Sequence, residues 1–434
     1  MNLSLPDRRT RHWKSALAVA TSAGVVVAAS AIAHPSPADA HEAHHAQASH
    51  HVQPGHHSKP SHRPTRGHNA SHGTTHHSPS KGHNDPRSRP GMPGNDGTLG
   101  TYAQRNLIAD QAGAAETQDS NVINPWGLAF GPSTGPATQA WLANFGTNTS
   151  TLYRGGVNGS PVVRGRTFTV PGMPTGQVFN GGNGFNVTAN GASGPAQFIF
   201  DTVTGTIDGW NTNVPSPRST DAETVMTVPG ASFTGLAISQ KYDRLYAADF
   251  RNNKIDVFDG KWNQVNTPGQ FIDPHLPAGY SPFGVEDVNG TIVVAYALLD
   301  PATGIDIPGA GHGVVDTFSE SGRLEHRVTT GGTLNSPWGI AQAPKSFGAA
   351  SGDLLIGNLG DGTINAFDPH NGRFQGQLAD ANGKPIAIEG LWALKFGNGN
   401  IGATNQLLFT AGPSQYAHGL FGELTATGKT TPHK

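Results

Sequence analysis

Cysteine is absent from all 434 residues, so disulfides, thiolate nucleophiles and Cys-ligated zinc are excluded. Stability must come from packing and hydrogen bonds. Charge is scarce too: Asp, Glu, Lys and Arg make up 13% of the chain, with a formal net charge of -2. That balance argues against an electrostatic hold on nucleic acid. What is abundant is glycine, at 58 residues, and proline, at 32. Such a composition favours turns and short strands over long helices, which draw on Ala, Leu, Glu and Lys.

Only one stretch is apolar enough to enter a bilayer. Arg8, Arg9, Arg11 and Lys14 precede an uncharged Ala/Val-rich run over residues 15–33 that ends in Ala31-Ile32-Ala33, a small-x-small cleavage pattern; Ala38-Asp39-Ala40 is a second. Residues 1–33 are therefore expected to be a signal peptide, giving a secreted or cell-envelope protein with no membrane span after cleavage. An uncleaved anchor is the alternative. Arg8-Arg9 is compatible with twin-arginine export, although the residues after it match that signal poorly.

Residues 34–97 hold 14 of the 21 histidines among Pro, Ser, Gly and basic residues, including the pairs His44-His45, His50-His51 and His56-His57. Almost no aliphatic side chains are present to offset the entropy of ordering, so the segment is expected to be disordered. Two readings stand: loose binding of a transition metal by imidazole, or a flexible linker whose charge rises below about pH 6.5.

Beyond residue 97 the sequence repeats. NPWGLAF at 124–130 returns as SPWGIAQ at 336–342. Trp126 and Trp338 lie 212 residues and four repeat steps apart, a period of 53, and the step to Trp392 is 54. Each block has several short apolar runs bounded by Gly and Asp-Gly turns, as in PWGIAQA, DLLIGNL, GTINAFDP, FQGQLAD or FTGLAIS, RLYAADF, KIDVFDG, QFIDP. Four strands per unit at this period predict an all-β, six-bladed β-propeller over residues 98–428, with a short tail at 429–434. The sixth block has only three runs, so TYAQRNLIAD at 101–110 is expected to supply its outer strand and close the ring. Pro suits the first residue of a strand, and Gly allows close approach near a crowded axis. Trp126, Trp338 and Trp392 are expected to wedge between blades rather than to stack on a ligand.

LYAADFRNNKIDVFDG resembles the NHL repeat. A closer resemblance, on NPWGLAF, LPAGYSPFGV, LNSPWGIA, GNLGDGTINAFDP, IEGLWALKFG and FTAGPSQYAHGLFGEL, is to an exported bacterial family of conserved hypothetical six-bladed propellers. It covers roughly residues 102–424 and implies a fold and an exported address. It brings no established reaction and no defined site.

Propeller function usually lies on the loops that join second to third strands and fourth strands to the next blade. The second-strand ends are Asn144, Asp201, Asp249, Tyr296, Asn358 and Thr410; the first-strand entries add Asn124, Asn180, Asn335 and Glu389. These residues are the candidate ligand-binding ring. Oxygen donors there, above all Asn144, Asp249, Asn358 and Glu389, suit a hard cation such as Ca2+, and gluconolactonase-like propellers hold a metal in a comparable place. The same residue types also cap turns in propellers without activity. His312 and His418, in two longer loops, are candidate acid-base groups. Three motif echoes fail: the GxSxG at 131–135 has no following helix, the Gly-Lys-Thr at 428–430 is misplaced for a P-loop, and the Asp-Ala-Asn-Gly at 380–383 is only part of a calcium loop. Two functions follow. One is a monomeric binding or scaffold propeller for a protein, glycan or small molecule. The other is a metal-dependent lactonase-like hydrolase with its site at the channel mouth.

Overall fold

The computed structural model describes residues 97–131, 139–265 and 268–428. The expected signal peptide at 1–33, the His-rich segment up to residue 96 and the tail from 429 lie outside the described residues. Six sheets form the six blades of a propeller. In blade one the strands Pro125–Phe130, Ala140–Asn144, Thr149–Gly155 and Val162–Thr169 pair antiparallel in sequence order. Blade four repeats this with Tyr280–Val288, Thr291–Leu298, Val314–Ser319 and Leu324–Thr330, and blade five with Pro337–Gln342, Leu354–Asn358, Ile364–Phe367 and Phe374–Leu378. The inner three strands are almost wholly buried, while the outer strand is largely exposed. That gradient is what a blade covered on both faces by its neighbours requires.

The ring closes as the missing strand predicts. Tyr102–Ala109 pairs antiparallel with Leu420–Ala426 in blade six, from Tyr102 opposite Ala426 to Ala109 opposite Leu420. Leu107 and Ile108 are fully buried there. The tie reaches blade five as well, where Thr98–Leu99 runs parallel to Phe374–Leu378.

Two blades depart from the expected pattern. Blade two inserts a hairpin, Asn186–Ala189 with Ala192–Pro195, turned by Asn190 and Gly191 at φ 50° and 80°. Asn-Gly is the residue pair such a turn demands. Blade three has three strands, not four. The run QFIDP does not add to its edge. Instead the Phe271 N–H donates to the Gly322 carbonyl at 2.7 Å, and its ring packs 5.4 Å from Phe318, both in blade four. Burial of one large ring between the blades wins over another ladder pairing.

The tryptophans also differ from expectation. They do not separate neighbouring blades but converge on the axis. Trp126 stacks on Trp392 at 3.5 Å, and Trp338 lies edge-on to them at 6.3 and 5.7 Å. Phe283 of blade four reaches Trp126 of blade one, directly across the ring, at 6.5 Å. Contact between opposite blades is possible only at the centre. Thr175 and Thr234 take the same repeat position in blades two and three. Their hydroxyls donate to the carbonyls of Phe233 and Phe283 in the next blade, at 3.0 and 2.9 Å.

The following repeat position is Gly127, Gly176, Gly235, Gly284, Gly339 and Ala393. A Cβ on Gly339 would lie 2.5 Å from the Trp392 carbonyl oxygen, and one on Gly127 2.6 Å from that of Thr175. On Gly235 the nearest atom is 3.2 Å away. Gly339→Ala is therefore expected to destabilise the fold by about 1–3 kcal/mol, and Gly235→Ala by less than about 1 kcal/mol, read as the difference in urea midpoints. At the closing strand, Ile108→Ala should cost about 2–5 kcal/mol, whereas Ala103→Ser on its exposed side should stay within about 0.5 kcal/mol, checked by the same titration.

Candidate functional site

Inner-strand entries and second-strand ends lie at one end of the propeller: Asn144 pairs with Pro125, Asp249 with Phe233, Tyr296 with Pro282 and Asn358 with Pro337. Most of the candidate ring residues are buried, but Glu389 is exposed and Asn335 half-buried. Asn144, Asp201, Asp249, Asn358 and Thr410 are each 0% exposed.

Most of their polar atoms serve their own turns and neighbouring blades, while Asn144 Oδ1, Asp201 Oδ2 and the Tyr296 hydroxyl are buried without a partner among the described residues. Asn144 Nδ2 donates to the hydroxyls of Thr149 and Thr151 at 3.1 and 3.0 Å. Asp249 accepts the N–H groups of Ser232 and Asn252 on Oδ1 and the Asn252 amide on Oδ2 at 2.7 Å. Asn358 bonds the Thr333 carbonyl, Asp361 and the Asn335 N–H. Asn180 bridges the Ala196 carbonyl and the Gly182 N–H, and Glu389 accepts from Ser414 N–H at 2.9 Å. Thr410 Oγ1 accepts from Ala393 N–H and donates to the Trp126 carbonyl at 2.6 Å, tying blade six to blade one. The phenol of Tyr296 is buried and raised well above its ordinary range by desolvation. Asn144, Asp249, Asn358 and Glu389 stand in four different blades, each with protein partners. Among the described residues no three His, Asp or Glu side chains converge as a metal group.

The two histidines occupy equivalent places in the repeat, a relation hidden by their different surroundings. His312-Gly313 opens the third strand of blade four, and His418-Gly419 that of blade six. Ser336 N–H donates to the His312 carbonyl at 2.8 Å, and Asn124 N–H to the His418 carbonyl at 3.1 Å. Ser336 and Asn124 both precede Pro-Trp-Gly and are left-handed, at φ 45° and 46°. A Cβ on Gly313 would crowd Pro337, and one on Gly419 would crowd Pro125. His-Gly in one blade thus clasps Pro-Trp-Gly in the next. The imidazoles face outward: His312 Nδ1 bonds the Ile307 carbonyl at 2.9 Å, and His418 Nδ1 bonds Asp110 Oδ2 at 2.8 Å while its Nε2 meets the Gln111 amide.

Sequence reasoning missed Asp110, Gln111 and Tyr416. The first two reach His418 only because the ring closes through their strand. Tyr416 follows Ser414 and Gln415 in a left-handed run at φ 57°, 57° and 68°. Its ring lies 5.8 Å from Trp392, and burial raises its phenol beyond the ordinary range, helped by Asp306 and Glu389. Trp392 Nε1 donates to Asn124 Oδ1 at 2.8 Å beneath it. The loop at 412–419 therefore roofs the aromatic plug.

Asp201 does not face solvent either. Its Oδ1 accepts from Gly176 N–H at 2.6 Å and the Thr175 hydroxyl at 2.8 Å, and Oδ2 has no partner among the described residues. Burial pushes its carboxyl up to about 7, and that of Asp208 on the adjacent strand to about 6. Folded values above those of an unfolded chain give stability that is fully present below about pH 4 and lost as pH rises through 6 to 7. The melting temperature is expected to fall between pH 5 and pH 8, and Asp201→Asn should flatten that fall, as read by calorimetry across pH; an unchanged slope would show that Asp201 ionises freely in the folded chain.

No family model matches the chain. Uncharacterized protein R648 of Acanthamoeba polyphaga mimivirus is 33% identical over 334 residues, covering 75% of this chain and 80% of that protein. Uncharacterized protein L690 of the same virus is 30% identical over 339 residues, covering 75% and 86%. Among solved structures, a catalytically inactive virginiamycin B lyase from Staphylococcus aureus with quinupristin aligns over 75% of this chain and 99% of its own, at 12% identity and a TM-score of 0.42. A nidogen/laminin complex aligns over 61% and 82%, at 13% identity and 0.40. The chain belongs to the family that includes Uncharacterized protein R648 of Acanthamoeba polyphaga mimivirus, and its fold is a six-bladed β-propeller.

Proposed function

We propose that this is an exported binding or scaffold propeller that presents its mouth face to a protein, glycan or small ligand. The observation that carries this reading is the closed axis: Trp126, Trp338, Trp392 and Phe283 fill its centre, and the polar side chains around them hold loops rather than line a cleft. A rigid face with raised loops suits recognition. The loop between the second and third strands of blade four exposes Ile305 and Ile307, 38% and 39% accessible, beside His312. Apolar anchors of this kind dominate interface energetics when a partner covers them. Export rests on the basic, apolar and small-x-small succession of residues 1–33.

A lactonase-like hydrolase is the second reading, and the Asp110–His418 pair is what favours it. A carboxylate on Nδ1 fixes the tautomer that leaves Nε2 as a base. Here the Gln111 amide meets that nitrogen, so the loop would have to shift before His418 could take a proton.

Glycan and peptide arrays, run beside a lactone and ester panel, separate the two. The binding reading expects array ligands whose affinity falls about tenfold or more in an Ile305→Asp, Ile307→Asp double variant and is kept in His418→Ala. Lactone turnover that disappears in His418→Ala would replace it with the hydrolase reading.

A further inference from the structure

We propose that the end of the axis opposite the aromatic plug holds a separate site, for a small ammonium-bearing molecule. The repeat itself exposes it. Two residues beyond the glycine ring, the inner strands carry Ala129, Val178, Ala237, Glu286, Ala341 and Lys395. Four blades obey the rule of small apolar side chains at this crowded level, and two break it with opposite charges. Glu286 of blade four and Lys395 of blade six meet at 3.0 Å, past the inner strand of blade five between them. Each remains about a third exposed, 35% and 32%. Their single contact leaves further N–H groups on Lys395 and the second carboxylate oxygen of Glu286 available. Departures from the pattern that builds a fold concentrate at functional sites.

These charges edge a pocket of about 270 Å³. Ile340, Leu394, Phe396 and Val288 give it apolar wall. Asp287 lines it too: Oδ1 accepts from the Gln240 amide at 2.6 Å and from Gly290 N–H at 2.8 Å, while its buried Oδ2 has no hydrogen-bond partner among the described residues. That oxygen is closed to solvent, so Asp287 contributes its negative charge to the wall rather than a free acceptor. The wall therefore carries two carboxylate charges against one ammonium group, with Glu286 as the exposed carboxylate, beside a surface for an apolar body. A ligand with a primary ammonium and a compact hydrocarbon part matches both. Its charge bonds Glu286 and is drawn by the nearby charge of Asp287, and its body lies against Ile340 and Leu394. A carboxylate on the same ligand would bond Lys395. The size fits a molecule at or below the lower end of usual small-molecule pockets.

Calorimetric titration of the full chain with isoamylamine, L-leucine and isocaproate tests this, because the three share one hydrocarbon and differ only in charge. Saturable binding of an ammonium ligand below about 10 mM supports the site. Binding of isoamylamine alone identifies an amine ligand, and binding of L-leucine alone an amino acid. Glu286→Gln should weaken either by about tenfold or more. Lys395→Met should weaken only L-leucine. The proposal is overturned if neither ammonium ligand binds, if isocaproate binds as well as they do, or if Glu286→Gln leaves affinity unchanged. Should that variant fail to fold, the comparison of isoamylamine with isocaproate on the unaltered protein decides alone. Ile305 and Ile307 lie in a mouth-face loop, so loss of the binding function there leaves this result unaffected.

Discussion

Everything in this propeller depends on crowding at the axis. Six inner strands must approach until the backbone of one blade meets the backbone of the next, and at that level a side chain has nowhere to go. Glycine therefore stands in five blades at the position where Ala393 stands in the sixth. One residue earlier the same geometry leaves a central volume that the blades must fill jointly. Three tryptophans and a phenylalanine do so from four blades, and two threonines complete the circle by bonding carbonyls across blade boundaries. Removal of these large rings from water is non-directional, but their edge-on and stacked contacts are not. The axis is thus specified by both volume and angle.

The repeat made the fold legible because each of its elements answers a local demand. Period and turn spacing gave six units, the deficit in the last unit pointed to Tyr102–Ala109, and Pro-Trp-Gly marked inner strands. Legibility failed where a choice was made by tertiary packing. QFIDP has a strand-like composition, yet Phe271 packs between Tyr246 of blade three and Phe318 of blade four instead of extending an edge. The tryptophans were recognisable as packing residues, but the direction of an inner-strand side chain depends on how far the ring has closed, which no local window records. The hairpin at Asn190-Gly191 is a different case: its turn signal was present and was absorbed into a block counted for four strands.

The mouth ring shows the same division. Sequence spacing located Asn144, Asp249 and Asn358 at one level of three blades, since strand ends recur with the repeat. It could not show which way their amides and carboxylates turn. The chain uses them for hydrogen bonds that short loops cannot otherwise satisfy, which is the commoner fate of Asn and Asp after a strand. His312 and His418 carried a signal of their own in the shared His-Gly, whose carbonyl and missing Cβ receive the next blade's Pro-Trp-Gly. Asp110 could be linked to His418 only after the ends of the chain had been joined.

The two ends of the axis are consequently unlike. Toward the mouth, large rings fill the axis and the loop carrying Tyr416 roofs them. Below the plug the central side chains shrink to Leu128, Gln177, Leu236, Val285, Ile340 and Leu394, and the enclosed volume falls to about 30 Å³, room for little beyond water. Past that constriction the funnel widens and admits charge. An ion pair placed at such a level gains little stability for the fold, because partly solvated pairs contribute about 0–1 kcal/mol. Small apolar residues in four other blades show that the architecture does not need it. Stability thus gives no reason for Glu286 and Lys395 to interrupt the repeat, whereas recognition of a charged molecule does.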